Sequence, residues 1–226
     1  MGSTRGHWED VYASKADTAV SWYQPHAARS FAMIVSAEPD RGSPIIDIGG
    51  GTSTLVDDLL AAGYTDLTVL DIADTALAKA KARLGRDQAR VSWVVADITR
   101  WRPARTYQVW HDRAVFHFLT DDTRQDAYIA ALHAGTHPGS AVIISTFALD
   151  GPDKCSGLPV QRYSATTLAK RLGPTFALVG QASETHKTPW GSGQRFSYAA
   201  FRRAAPREQP TGRDEAADVK AAAPRT

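Results

Sequence analysis

The sequence predicts an α/β protein with a doubly wound, mostly parallel sheet that closes on an antiparallel hairpin. Three observations predict it. From Pro44 onward, short apolar runs alternate with helix-like segments, the pattern of parallel strands joined by crossover helices. The first run, "PIIDI", ends in Gly49, Gly50 and Gly51, after which a helical pattern begins. The last two strand-like runs, "TFALVGQASETH" and "QRFSYAAFRR", are separated by "KTPWGSG" alone. A parallel pair needs a dozen or more connecting residues, so these two pair antiparallel.

Taken in order, residues 7 to 37 read as two short helices around a loop. Trp8, Val11 and Tyr12 share one helical face, as do Ala27, Phe31, Ile34 and Val35. The loop "AVSWYQPH" between them is rich in aromatic residues and broken by Pro25. Strand "PIIDI" leads to a helix over 52–62, whose apolar face is Leu55, Val56, Leu59 and Leu60 and whose C′ position suits Gly63. Strand "LTVLDI" leads to a helix over 74–84 closed by Gly85. Strands "VSWVVADI" and "YQVWHD" follow, then a helix over 121–134, the turn "HPG" and strand "AVIISTF". The segment "FALDGPDKCSGLPVQRYS" is long and contains Gly and Pro, so it is expected to cover a pocket mouth. A helix over 164–172 precedes the hairpin. From Ala204 the chain is Ala, Pro and charge, and disorder is expected there. The organisation expected is a helical cap or lid over 1–43, a nucleotide-binding core over 44–203 and a tail over 204–226.

Composition sets bounds. The chain has 226 residues, 43% of them hydrophobic, enough for one domain with a core. A net charge of +2 gives no reason to expect nucleic acid or an anionic membrane as partner. Cys155 is the one cysteine, so no intrachain disulfide can form, which fits a reducing compartment. No apolar run approaches bilayer-spanning length, and "MGSTRGHWED" lacks the apolar core of a signal peptide. The expectation is a cytoplasmic protein, monomer or homodimer. His, Asp and Cys show no metal-ligand spacing, so no metal is expected.

The glycines raise the question of which nucleotide they hold. The dinucleotide fingerprint G-x-G-x-x-G, counted from Gly49, gives Gly49, Gly51 and then Thr54. The missing third glycine argues against close approach of a pyrophosphate. Asp47, at the end of its strand, would repel a diphosphate and pair with an ammonium group. S-adenosylmethionine has that ammonium and no phosphate. Asp71 ends the second strand, where a carboxylate can bind ribose hydroxyls. Asp97 ends the third and is followed by Ile98, a pair suited to the amino group and ring of adenine. Three acids at the carboxyl ends of three successive strands point to the ligand-binding edge of such a sheet.

In order and spacing the chain resembles the class I, seven-stranded, S-adenosylmethionine-dependent methyltransferases over roughly residues 7 to 202. "DIGGGTS", "LTVLDIA" and "VVADIT" resemble the first three motifs of that family, "YQVWHDRAVFHFL" its fourth strand and turn, and "HPGSAVIISTF" its fifth-strand segment. The resemblance implies a Rossmann-like fold with the seventh strand inserted between the fifth and sixth. It implies cofactor contacts at Asp47, Gly49, Gly51, Asp71, Ile72, Asp97 and Ile98. Within the family, "HWEDVY…SWYQ" and "VWHDRAVFHFL" resemble the thiopurine methyltransferase-like group, a set of protein lysine methyltransferases that carry Asp-Lys-Gly after strand four, and bacterial methyltransferase-domain proteins; Asp112-Arg113-Ala114 is nearer the Asp-Arg-Gly of the thiopurine type.

Methyl transfer is an in-line displacement, and the protein's part is to position two partners and exclude water. A general base is needed where the nucleophile arrives protonated. His111, Asp112 and Arg113 are the catalytic candidates; either histidine of this segment could instead be a packed ring, and Arg113 a structural partner of Asp112. His117, Arg162 and Tyr163 are the substrate-binding candidates, with Arg162 and Tyr163 equally able to tie the loop down. Trp22 and Tyr23, with Trp8 and Tyr12, are expected to form an aromatic lid whose ring faces suit a sulfonium cation. Cys155 reads as a spare thiol. The function expected is methyl transfer to a small molecule bearing a thiol, another soft nucleophile or an amine. Protein lysine methylation, and a binding module without catalysis, are the alternatives.

Overall fold

A computed structural model describes residues 4–205; the expected tail lies almost wholly outside them. The parallel strands are β1 (Ile45–Ile48), β2 (Leu67–Asp71), β3 (Val91–Val95), β4 (Val109–Arg113) and β5 (Ala141–Phe147). A hairpin, β8 (Phe176–Lys187) and β9 (Gly193–Arg203), completes a seven-stranded sheet of order β3-β2-β1-β4-β5-β9-β8. The last strand in sequence sits beside β5 and antiparallel to it, as the family resemblance implies. This is the Rossmann-like methyltransferase fold. The Gly- and Pro-containing loop after β5 carries a small antiparallel ribbon, β6 (Lys154–Cys155) and β7 (Leu158–Pro159), which the sequence did not suggest.

Strand alternation builds two cores. Ile46 and Ile48 of β1, Trp110 of β4 and Val142 and Ile144 of β5 face α5 (Asp122–Ala134) and α6 (Ala165–Leu172). Ile45, Val109, Ala141 and Ile143 face α2 (Ala28–Ala37) and α3 (Leu55–Ala61), with Leu77 of α4 (Asp74–Leu84) in the same cluster. The helices expected over 74–84, 121–134 and 164–172 lie within one residue of those limits. The helix expected over 52–62 is shorter, because Thr52–Thr54 continue the glycine turn.

The first 43 residues do not act as one cap. Ile34 of α2 is fully buried against the sheet's helical layer, and Arg202 donates to the Ala37 carbonyl at 2.5 Å. α2 therefore belongs to the sandwich. What remains outside it is α1 (Thr4–Ser14) and the loop up to Ala27.

α1 is fastened by polar contacts. Helix α4 begins at Ala73, which has no capping side chain. Glu9 of α1 takes that role: its Oε1 accepts the Asp74 N–H at 2.9 Å and its Oε2 the Thr75 N–H at 3.1 Å. Two of the donors that a helix start leaves unpaired are thus satisfied from another helix. Lys79 of α4 donates to the Lys15 carbonyl at 2.8 Å and pairs with Asp17 at 3.2 Å.

Candidate active site

Two adjoining cavities, one larger than the other, open at the carboxyl edge of the parallel strands. They share a wall of Trp22, Gly49 and Arg113. The larger runs beneath α1 from the β3 tip to the β9 side of the sheet, as its wall residues Asp97 and Gln194 mark.

Over β1–β3 the wall of the larger cavity is Gly49, Asp71, Ile72, Asp97 and Ile98. Gly49 has φ +66°, and a Cβ there would lie 2.0 Å from Val115 Cγ2, so the strand-to-helix turn needs glycine for both conformation and space. Gly51, at φ +50°, lies where a Cβ would meet the Tyr12 hydroxyl at 2.6 Å and Asp71 Oδ2 at 3.2 Å. Asp71 Oδ1 accepts the Ala73 N–H at 2.9 Å. Burial raises the Asp71 carboxyl to about 7; backbone N–H groups of Ala73, Ile72 and Gly51 oppose the rise and the nearby Asp47 adds to it. Asp97 Oδ1 accepts from the Thr99 N–H at 2.9 Å and the Thr99 hydroxyl at 2.7 Å, which fixes the carboxylate at the end of β3.

Over β4, β5 and β9 the wall becomes aromatic. Trp8 packs edge-on against Trp22 (5.7 Å between ring centres) and Phe118 (5.1 Å). Phe147 and Phe196, 4.8 Å apart, form the floor, with Cys155 from β6 beside them. Burial pushes the Cys155 thiol up to about 11, so it stays protonated. Phe118, Phe147, Phe196 and Gln194 were not singled out from the sequence. The one signal available was an aromatic residue at the end of each strand or turn at this edge.

The smaller cavity is polar. Asp47, His111, Ser30, Thr52 and Gln24 line it, with Tyr23 at its wall. Asp47 and His111 are register partners on β1 and β4, and His111 Nδ1 lies 2.7 Å from Asp47 Oδ1. Asp47 is thus already partnered within the protein. His111 Nε2 and Ser30 Oγ are buried with no protein partner among the described residues.

Several expected site residues are elsewhere. Asp112 is one residue beyond His111 on the strand and so faces α5. Its carboxylate accepts the Val115 and Phe116 N–H groups at 2.8 and 3.1 Å and the Tyr128 hydroxyl at 2.7 Å. It holds the turn after β4 and reaches neither cavity, although burial raises it to about 6. His111 is absent from the larger cavity's wall. His117 is fully buried, accepts the Phe147 N–H through Nδ1 at 3.3 Å and stays neutral, its pKa lowered by burial to about 3. Arg162 is exposed and donates to the Gly151 carbonyl at 3.1 Å, tying the loop to itself. Tyr163 packs on Phe116, 5.6 Å between centres, inside the α5–α6 core. None of these three lines a cavity.

Arg113 does line both. Its Nε donates to the Tyr198 hydroxyl and its Nη1 to the Trp22 carbonyl, each at 3.2 Å, and its guanidinium lies 4.7 Å above the Phe196 ring. Among the described residues no group of three or more His, Cys, Asp or Glu could hold a metal, and no helix is long and apolar enough to cross a membrane.

Comparison with known proteins agrees with this geometry. Residues 45–139 match the methyltransferase domain family. The eEF1A lysine and N-terminal methyltransferase of Mus musculus is 27% identical over 118 residues, 51% of this chain and 17% of its own length. A physcion biosynthesis cluster O-methyltransferase of Aspergillus chevalieri is 31% identical over 99 residues, 44% of this chain and 42% of its own. The chain thus spans less than half the length of these relatives. The structure of N-methyltransferase NodS from Bradyrhizobium japonicum in complex with S-adenosylhomocysteine superposes with a TM-score of 0.68 at 17% identity, covering 89% of this chain and 99% of NodS. The fold is that of the class I S-adenosylmethionine-dependent methyltransferases. The cofactor this fold implies is S-adenosylmethionine.

Proposed function

We propose that the chain is an S-adenosylmethionine-dependent methyltransferase acting on a small molecule, with its cofactor half over β1–β3 and its acceptor half over β4, β5 and β9. The observation that carries the reading is the row of Asp47, Asp71 and Asp97 at the carboxyl ends of three adjacent strands. Asp71 and Asp97 share one cavity with Gly49, and Asp47 sits next door. The residues fit the cofactor. Asp71 offers a buried carboxylate to the ribose hydroxyls, and Asp97 with Ile98 offers an acceptor and an apolar face to adenine. Gly49 and Gly51 leave backbone open to the ribose and amino-acid parts. Asp47, with His111 beside it, and the unpartnered polar atoms of the smaller cavity suit the amino-acid end. Trp22 and Tyr23 close the site from above, with residues 44–203 and α2 as the cofactor-binding core. The enclosed, aromatic acceptor half supports a small acceptor, as does the name of the Aspergillus relative. Protein lysine methylation is the second reading, supported by the name of the mouse relative.

Calorimetry with S-adenosylmethionine, S-adenosylhomocysteine and NAD tests the proposal. Binding of the first two, with NAD weak or absent, is expected. Asp71→Ala removes charge-assisted hydrogen bonds of roughly 1.5–3 kcal/mol each and should weaken cofactor affinity by about tenfold or more. NAD bound more tightly than the sulfonium compound would refute the reading.

A further inference from the structure

Resting on the methyltransferase reading, we propose that the acceptor half takes a flat, apolar molecule whose nucleophilic atom arrives already deprotonated and negative, a thiolate, a phenolate or an ionised heterocyclic nitrogen, and that Arg113 supplies the matching charge. The lysine ammonium of a protein substrate is the wrong charge for it.

The argument begins with the Arg113 head group. Two of its nitrogens are fixed, by the Tyr198 hydroxyl and the Trp22 carbonyl, and its face is covered by Phe196. The third nitrogen, Nη2, is buried and has no acceptor among the described residues. No carboxylate there lies within ion-pair distance of Arg113. Glu184 reaches it through the Tyr198 hydroxyl, which donates to Glu184 Oε2 at 2.8 Å, while Gln24 holds the other carboxylate oxygen at 2.7 Å. A half-buried guanidinium whose one buried nitrogen lacks an acceptor is costly and draws an anion toward it.

The second line is the missing proton acceptor. Around the aromatic half, the thiol of Cys155 has a raised pKa and holds its proton. Asp112 and His117 do not reach the cavity. Asp71 and Asp97 stand at the opposite, β2–β3, end. Among the described residues, an acceptor that had to lose a proton in the aromatic half would find no base on that wall; His111 lies across the shared wall, in the smaller cavity. An alkylamine is protonated near neutrality and would meet the Arg113 charge in surroundings of low polarity. The ionised acceptor avoids both obstacles. Its lone pair forms the bond to the methyl carbon, the carbon–sulfur bond breaks with its pair left on sulfur, and anion and sulfonium become neutral products without release of a proton.

The third line is shape. Trp8, Trp22, Phe118, Phe147 and Phe196 favour a ring through offset and edge-on contacts. Gln194 Oε1, buried and unpartnered on the same wall, selects a ring that also carries a hydrogen-bond donor.

The test is calorimetry on the full chain saturated with S-adenosylhomocysteine, titrated with thiophenol, 4-nitrophenol, benzylamine and a lysine-containing peptide between about pH 6 and 9. Affinity for the thiol and the phenol should rise with pH, each through its own ionisation. The ionised forms should bind about tenfold or more tightly than the amine and the peptide. Arg113→Gln should cost the ionised probes about tenfold, measured with S-adenosylhomocysteine kept saturating. Gln194→Leu keeps the guanidinium and should keep the preference for ionised probes, so the proposal stays open to refutation if Arg113→Gln fails to fold. Tightest binding of the amine or peptide, no dependence on probe ionisation, or an Arg113→Gln loss confined to S-adenosylhomocysteine would overturn it. Failure of the wild type to bind S-adenosylhomocysteine at all would instead sink the methyltransferase reading.

Discussion

At the scale of single residues, Asp71, under the proposed function, would link acidity to cofactor affinity. Its carboxyl titrates at about 7 in the protein, raised chiefly by burial, against roughly 3.9 in an unfolded chain. Ionising it therefore opposes folding, and its contribution to stability falls as pH rises from about 4 to 7. Binding ribose hydroxyls favours the carboxylate, so the dependence of affinity runs the other way. The dissociation constant for S-adenosylmethionine should increase as pH falls from about 8 to 6, and Asp71→Asn should flatten that profile. A wild-type affinity independent of pH over that window would remove Asp71 from the ribose. Ala114 is a second residue with a consequence. It lines the cavity at φ +74°, where the thiopurine-type motif has glycine. The left-handed conformation costs an L-residue about 1–2 kcal/mol. Ala114→Gly should recover up to about 1 kcal/mol, net of the extra freedom glycine has when unfolded, and chemical denaturation would read it. A lower midpoint would mean that the methyl group's packing outweighs the strain.

At the scale of elements, the Glu9 contact between α1 and α4 is the one to break. Glu9→Ala removes the cap of α4 and should cost about 1 kcal/mol. Because the same contact holds α1 across the cavity, the variant should also exchange cofactor faster in both directions. Stopped-flow tryptophan fluorescence would measure this, and unchanged rates beside a lowered melting temperature would reduce Glu9 to a helix cap. Elements were also the level at which the sequence spoke most clearly. The strand-turn-helix around Gly49 and the helices from Asp74 and Asp122 follow from periodicity and from glycine placement, both local properties. That Asp71 and Asp97 would stand on one cavity wall was legible because both end adjacent strands at the same edge of the sheet. Asp112 was misjudged because adjacent residues on a strand face opposite sides, and the partner that claims it, Tyr128, comes from α5, whose packing on β4 no local pattern reveals. Arg162 was open between two roles, and a carbonyl in its own loop, Gly151, decided it. The acceptor wall was not legible at all. Its rings come from α1, the turn after β4, β5 and β9, and only the insertion of β9 beside β5 brings them together.

At the scale of the whole molecule, the sheet order divides the cavity's labour. β1–β3 carry the acids and glycines, and β4, β5 and β9 carry the rings and Arg113, so under the proposed function the two ligands would meet above β1 and β4, where the strand order reverses. The loop from α1 to Ala27 spans both halves. Tyr12 lies against Gly51 and Asp71 at one end, while Trp8 and Trp22 face Phe118 and the Arg113 head group at the other. It is anchored at both ends, by Glu9 and Lys79 to α4 and by His186, which donates to the Ser21 carbonyl at 2.7 Å, to the last hairpin. Under the proposed function this segment would act as a single gate for both ligands, and neither product would leave while it is shut. The catalytic cycle would then be paced by the gate's opening, a solvent-displacing motion, and less by bond making. Turnover under saturating conditions should fall in proportion to added viscosogen such as sucrose, and rapid mixing should show a burst of methylated product before the steady state. Turnover indifferent to viscosity, with no burst, would place the slow step in the transfer itself and leave the strap as a passive roof.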